Sequence, residues 1–132
     1  TIVDFDNGVR ALLDLCMFAE GSEEQEKLVA IGDRAKLEVG IPSGVKILSP
    51  RVPAGEHKAI TREIIEVRND VLAAGNHHGA TYFQLLAFLE AAAGRAPVQV
   101  TASDGLLAVK VGTAAEISAR EKRIVRLSEL EG

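Results

Sequence analysis

The stretch TIVDFDNGVRALLDLCMF, Thr1 to Phe18, decides the fold. Asn7-Gly8 is the favoured pair for a two-residue type I′ turn, because both central positions of that turn need positive φ. The pair predicts a hairpin with strands over residues 2–6 and 9–18. In the second strand Val9, Ala11, Leu13, Leu15 and Met17 share one face, and Leu12, Cys16 and Phe18 lie on the other beside Arg10 and Asp14. A strand apolar on both faces wants cover on both sides. The chain's own helices can supply one cover. The second is either another subunit or domain, or the protein's own interior around a fully buried central strand.

Working outward, the polar segment AEGSEEQE ends this hairpin, and short alternating runs follow at residues 27–31 and 35–39. They flank Gly32-Asp33-Arg34 and read as a second hairpin. A third run covers residues 45–48, and SPRVPAGEHK is the most loop-like part of the chain. The segment AITREIIEVRND fits a helix through Ile60, Ile64 and Val67 and fits a strand through its β-branched content. A strand is preferred, because a sheet is being assembled around it.

The pattern then changes to helical. ATYFQLLAFLEAAAGR places Tyr82, Leu85, Leu86 and Leu89 at helical spacing, with Gly94 as a stop and Pro97 beyond it. VTASDGLLAVKVGTAAEISAREK reads as a second helix, with Ser103 as N-cap, Asp104 in the first turn and an apolar stripe of Leu107, Val111, Ala114 and Ile117. Gly112 within that helix points to close packing against a neighbour. RIVRL, residues 123–127, closes the chain as a short strand. Strands first and helices later give an α+β class: a mainly antiparallel open sheet, two principal helices on one face, and the other face available for subunit packing.

Composition narrows the function. At 132 residues the chain fits a single domain, 1–132, able to bury roughly 65–70% of its unfolded surface. Its 19 acidic and 15 basic residues, one tyrosine and no tryptophan make nucleic acid a poor partner. The basic residues Arg120, Lys122, Arg123 and Arg126 read as a solvated helix end. Cys16 is the only cysteine, so a disulfide within the chain and a cysteine metal cluster are both excluded, and a reducing cytoplasm is expected. Cys16 itself reads as a small packing residue inside the strand. No membrane span or signal-peptide pattern occurs.

No phosphate-cradling G-x-G-x-x-G or G-x-x-x-x-G-K-[ST], no H-E-x-x-H and no nucleophile elbow is present. What remains is NHHGATYF, residues 76–83. Adjacent histidines on a helix diverge by about 100°, so His77 and His78 do not grip one metal together, and no metal site is expected. Histidine suits acid–base chemistry, and a loop entering a helix is a good place to meet a polar ligand. The competing assignment is that one histidine caps or packs while the other is solvated. The segment is read as a pocket border, with no catalytic residue assigned.

Three segments together resemble a known family. FDNGVRALLDLCMFAEGS is an N-G hairpin leading into an Ala/Gly/Ser loop. HHGATYFQLLAFLEAAAGRAPVQVTASDGLLAVKVGTAAEIS is similar to an H-x-G-x-T-Y start, an F-L-x-A helix and a D-G-x-x-A-V helix ending A-A-x-x-S. REKRIVRLSEL is a basic turn and closing strand. Their order resembles the C-terminal domain of the glucose–fructose oxidoreductase, inositol dehydrogenase and MocA (Gfo/Idh/MocA) family of NAD(P)-dependent oxidoreductases, with a weaker match between residues 41 and 70.

The resemblance implies a sheet with helices on one side and a second subunit on the other, as a homodimer or tetramer. It implies that the domain lines a pocket for a sugar, polyol or similar hydroxylated compound. His77, His78, Thr81 and Tyr82 are carried over from H-x-G-x-T-Y as substrate-binding residues, with Tyr82 equally able to be core. The family's Gly-rich dinucleotide turn, its Glu-Lys-Pro catalytic lysine segment and its Asp-x-x-x-His segment do not occur and would precede Thr1. The expectation is therefore a piece of a longer oxidoreductase: NAD or NADP in the full-length parent protein, no cofactor bound and no turnover by this chain alone. The alternative is a stand-alone, non-enzymatic module that dimerises through its sheet and binds a small ligand.

Overall fold

The computed structural model describes residues 1–57, 59–75 and 77–130. Its elements are β1 (Ile2–Asp4), β2 (Arg10–Leu12), β3 (Glu26–Ile31), β4 (Ala35–Ile41), β5 (Val45–Pro50), β6 (Thr61–Ile64), α1 (Asn69–Ala74), a 3-10 turn (His77–Gly79), α2 (Ala80–Ala92), α3 (Ala102–Glu121) and a second 3-10 turn (Leu127–Leu130). The class is α+β as expected, with a four-stranded antiparallel open sheet in the order β3-β4-β5-β6, a separate β1-β2 sheet and two main helices. The chain divides into two compact units, Thr1–Leu15 with Glu90–Gly132, and Cys16–Leu89.

In the first unit, β1 and β2 pair as Ile2↔Leu12, Val3↔Ala11 and Asp4↔Arg10. The turn differs from the two-residue form. Phe5 N–H donates to Val9 O and Gly8 N–H to Phe5 O, both at 2.9 Å, and of the Asn-Gly pair only Gly8 takes positive φ. This is a three-residue loop, Asp6 to Gly8, in which the glycine absorbs the left-handed step. The expected long strand over residues 9–18 also shortens, to Arg10–Leu12. Leu13 N–H reaches Thr1 O at 2.9 Å, and there the first strand runs out of partners for it. Leu15, Met17 and Phe18 are exposed instead of lining strand faces, and Cys16 is exposed rather than packed.

The end of α2 is closed by paired bonds, Arg95 N–H to Glu90 O at 2.9 Å and Gly94 N–H to Ala91 O at 3.0 Å. That is the Schellman arrangement, with Gly94 at φ 71. The Arg95 guanidinium then grips the Glu90 carboxylate at 2.7 and 2.8 Å. α3 begins two residues earlier than Ser103 would place it. Its N-cap is Thr101, whose hydroxyl accepts from Asp104 N–H while the Asp104 carboxylate accepts from Thr101 N–H. The reciprocal bonds satisfy two donors at the helix start, which a Ser103 cap would not. At Gly112 a side chain would meet nothing within 4 Å, so close packing is not what this glycine serves.

The expected strand at residues 123–127 is replaced by a curled chain end. Lys122 caps α3 in the left-handed region at φ 56. Ser118 Oγ donates to Arg123 O at 2.6 Å, and Arg123 bridges Glu121 at 2.7 Å and Glu129 at 2.9 Å. These local bonds hold the segment against the helix end. Arg120 and Arg123 are thereby paired with acids.

The second unit is a meander. β3 and β4 run from Glu26↔Ile41 to Ile31↔Lys36, with a tight loop at Asp33-Arg34 closed by Gly32 N–H to Ala35 O at 2.9 Å. β5 pairs with β4 and β6 with β5, so the ambiguous segment is indeed a strand over Thr61–Ile64. The registers put Leu28, Ala30, Leu37, Val39, Ile41 and Leu48 on one face. The other carries Val29, Ile31, Ile47 and Ile64 around a charged row, where Glu38 takes Lys36 at 2.9 Å and Lys27 at 3.2 Å.

Burial is far below the sequence expectation. The buried hydrophobic residues described are Val71 and Ala114, at 5% and 8% exposure, while Leu28, Ile31, Ile64, Phe88 and Leu89 all exceed half. Apolar side chains occupy both sheet faces and much of α2, which is more apolar surface than these elements cover for one another.

The helix cap yields a pH test. The Thr101 hydroxyl first, and the Thr101 N–H second, hold the Asp104 carboxyl below its ordinary range. A depressed folded value makes the contribution complete above the unfolded value of about 3.9, and lost as pH falls through the folded one. Asp104→Asn should lower the thermal midpoint at neutral pH, and the deficit should shrink below about pH 4. A deficit equally large at pH 7 and pH 3 would remove the carboxylate from the cap.

Candidate functional site

The backbone from His77 to Gly79 carries three successive positive φ values, 54, 54 and 88. Outside glycine, the left-handed region costs about 1–2 kcal/mol per residue, so two histidines there must be held by their surroundings. Gly79 supplies one hold. It is buried, and a side chain on it would lie 2.8 Å from Val71 Cγ1 and 3.2 Å from Val67 Cγ1. The turn is seated on the residue that α1 buries most deeply. The α1 helix has no counterpart in the sequence reading, being only six residues long.

The second hold is polar. His77 Nδ1 lies 2.5 Å from Glu26 Oε1. The carboxylate accepts, so this bond fixes the hydrogen on Nδ1. The histidines therefore form a left-handed turn ahead of α2, not the first turn of a helix. Asn76, which opens the NHHGATYF segment, lies outside the described residues.

His78 points elsewhere. Its ring is half-buried and its Nε2 lies 3.7 Å from where a side chain on Gly44 would begin. It borders an open cleft of about 430 Å³, whose other walls are Ser43 in the β4–β5 turn and the run from Ile64 to Asn69. Gly44 lies next to this corner. Its φ is 66, its carbonyl accepts from Ile65 N–H at 2.9 Å, and an added Cβ would stand 2.7 Å from Ile65 O.

The polar groups of the cleft have definite capacities. The Ser43 hydroxyl donates to Glu24 Oε1 and accepts from Val45 N–H at 3.1 Å, which leaves one lone pair to accept with. Arg68 Nε donates to Asp70 Oδ1 at 3.0 Å and its terminal nitrogen to Oδ2, with further N–H groups left to donate. The same contact, hydrogen bonding first, raises the Arg68 guanidinium and depresses the Asp70 carboxyl. His78 has no hydrogen-bond partner among the described residues. Arg68 is already paired with Asp70, and Glu66 adds a carboxylate to the wall, so the cleft suits neutral groups that both donate and accept.

Of the four residues singled out from the sequence, His78 alone lines this cleft. His77 turns to Glu26. Thr81 is half-buried, its Cβ 3.4 Å from the position of a side chain on Gly75. Tyr82 packs edge-to-face on Phe83 with ring centres 5.4 Å apart. Ser43, Arg68 and Asn69 were not singled out. The Pro-Ser-Gly turn and the polar Arg-Asn-Asp run after an apolar strand are the signals that mark them. Among the described residues no group of three His, Cys, Asp or Glu side chains could hold a metal ion, and no helix is long and apolar enough to cross a membrane.

The family model described as "Oxidoreductase family, C-terminal alpha/beta domain" matches residues 1–127. No curated protein matches the chain.

Gly44→Ala tests the corner on which His78 rests. The left-handed φ alone should cost about 1–2 kcal/mol, and the approach to Ile65 O adds to it. Chemical denaturation should show a larger loss than for Gly8→Ala, where an added side chain meets nothing within 4 Å. Equal losses would mean that β6 can move away freely.

Proposed function

The chain belongs to the Gfo/Idh/MocA oxidoreductase family, as its C-terminal domain, and from that membership we propose the function of its cleft. The domain forms the substrate side of an NAD(P)-dependent oxidoreductase acting on a sugar, polyol or related hydroxylated compound. The observation that carries this reading is the cleft corner at His78, where Ser43 can only accept, Arg68 can only donate and His78 can do either. A hydroxyl group both donates and accepts, so a compound bearing several can satisfy all three. A carboxylate could not donate to Ser43 and would face Glu66.

The nicotinamide would be held by a preceding dinucleotide-binding domain, since the chain has no Gly-rich cradle. That cofactor accepts or supplies hydride. This chain's part is to orient the reacting carbon through its neighbouring hydroxyls, which is where positioned hydrogen bonds lower a barrier. His78 is the principal contact. Tyr82 and Thr81 stand behind it on α2, and His77 acts through the turn. On this reading the chain alone turns nothing over.

The same domain is proposed to assemble the enzyme as a dimer or tetramer. β3 supports this, because Leu28, Val29 and Ile31 leave apolar area exposed on both faces of an edge strand.

Two measurements test the proposal. In the intact protein, assayed with NAD and NADP against D-glucose, sorbitol and myo-inositol, His78→Ala should raise KM or lower kcat by about tenfold, the worth of one or two lost hydrogen bonds. Unchanged kinetics across the series would take His78 out of the site. Sedimentation should find a dimer or tetramer, and a strict monomer over a wide concentration range would refute assembly through the sheet.

A further inference from the structure

Two carboxylates from one short segment reach the two walls of the cleft. Glu26, the first residue of β3, bonds His77 across 51 positions of sequence. Glu24, two residues earlier and half-buried, accepts from both the Ser43 hydroxyl and, at 3.3 Å, the Ser43 N–H. Neither carboxylate lines the cleft. Each instead holds a group that does, or its immediate neighbour.

We propose that Glu24 and Glu26 are positioning residues of the substrate cleft: Glu26 holds His78 in place through His77, and Glu24 orients the Ser43 hydroxyl so that it can only accept from substrate. The inference rests on the reading of this cleft as the substrate side.

The geometry distinguishes this role from simple stabilisation. The His77 and Glu26 side chains are 63% and 51% exposed, and exposed pairs of this kind add little to global stability. Gly79 already fixes the far end of the turn on Val71. Among the described residues, the Glu26 bond is the only hydrogen bond from a side chain of the turn to the sheet. Releasing it frees His77 and His78 to leave the left-handed region, which swings the His78 ring away from Gly44 while Val71 stays packed. Glu24 does the same for Ser43 on a smaller scale. Without its carboxylate the Ser43 hydroxyl hydrogen is free to turn, and the group can donate as readily as accept.

The test uses the intact protein and two readouts. Crystal structures of the parent and of Glu26→Ala need no substrate. The variant should show His78 displaced from Gly44 with Val71 and Val67 unmoved. With the same three hydroxylated substrates, Glu26→Ala and Glu24→Ala should each raise KM about five- to tenfold with kcat changed less than twofold. Glu26→Gln, which keeps an acceptor for His77, should restore KM to near the parent value. The thermal midpoint should barely move for Glu26→Ala.

His78 still seated against Gly44 in Glu26→Ala overturns the inference, as does a KM unmoved by both alanine variants while His78→Ala raises it. In the second case the reading of the cleft survives. If His78→Ala also changes nothing, the cleft reading and the inference fall together. A loss in the Glu26 variants that tracks thermal stability, with no rescue by glutamine, assigns the pair to folding and overturns it as well.

Discussion

The second unit depends on one close contact, the seat of Gly79 on Val71. Three successive left-handed residues are a costly way to enter a helix, and the turn persists because Gly79 has no side chain to strike Val71 or Val67. From that contact α1 is held in place, α2 starts at Ala80, and the two histidine rings are sent in different directions. One meets Glu26 and the other the cleft. A helical start would separate the rings by a fixed angle on one rod. The left-handed turn instead lets one ring act as a strut and its neighbour face the cleft.

Gly44 does the complementary work on the sheet side. Its positive φ and bare α-carbon let the β4–β5 turn close against Ile65, so that the strand β6 and the polar run after it form a wall beside Ser43. The cleft is thus made from backbone closures rather than from a hollow in a core. That fits the small extent of burial. Hydrophobic residues on both faces of the sheet are left without cover, and such surface is stabilised only when something else takes it out of water. Membership in an oxidoreductase family as a C-terminal domain gives this surface a natural context, because a domain that shares its work with others need not bury its own apolar faces.

Electrostatics in the described residues are mostly local. Arg123 with Glu121 and Glu129, Arg95 with Glu90, and Glu38 with two lysines are exposed or edge pairs that trim chain ends and strand faces. Their partners lie close in sequence or across a strand pair, and each acid is held below its ordinary range mainly by a hydrogen bond. The Glu26–His77 bond differs in span, joining segments that only the fold brings together, while Glu24 meets Ser43 across the extended β3–β4 pair.

Much of this protein was legible in its sequence. The second hairpin, the strand at Thr61–Ile64, the α2 helix with its Gly94 stop and the α+β class all follow from periodicity and turn chemistry, which act over a few residues. Where local signals competed, the sequence contained the answer but did not rank it. Thr101 and Ser103 both have capping chemistry, and the reciprocal bond to Asp104 selects Thr101. Asn7-Gly8 suits two turn types, and pairing of Phe5 with Val9 selects the longer loop. The length of β2 was beyond local reading, because a strand lasts only as long as its partner. So were the left-handed histidines, the bond from Glu26 to His77 and the meeting of Gly44 with Ile65. Residue propensity argues against two histidines at positive φ, and only contacts between distant segments can outweigh it.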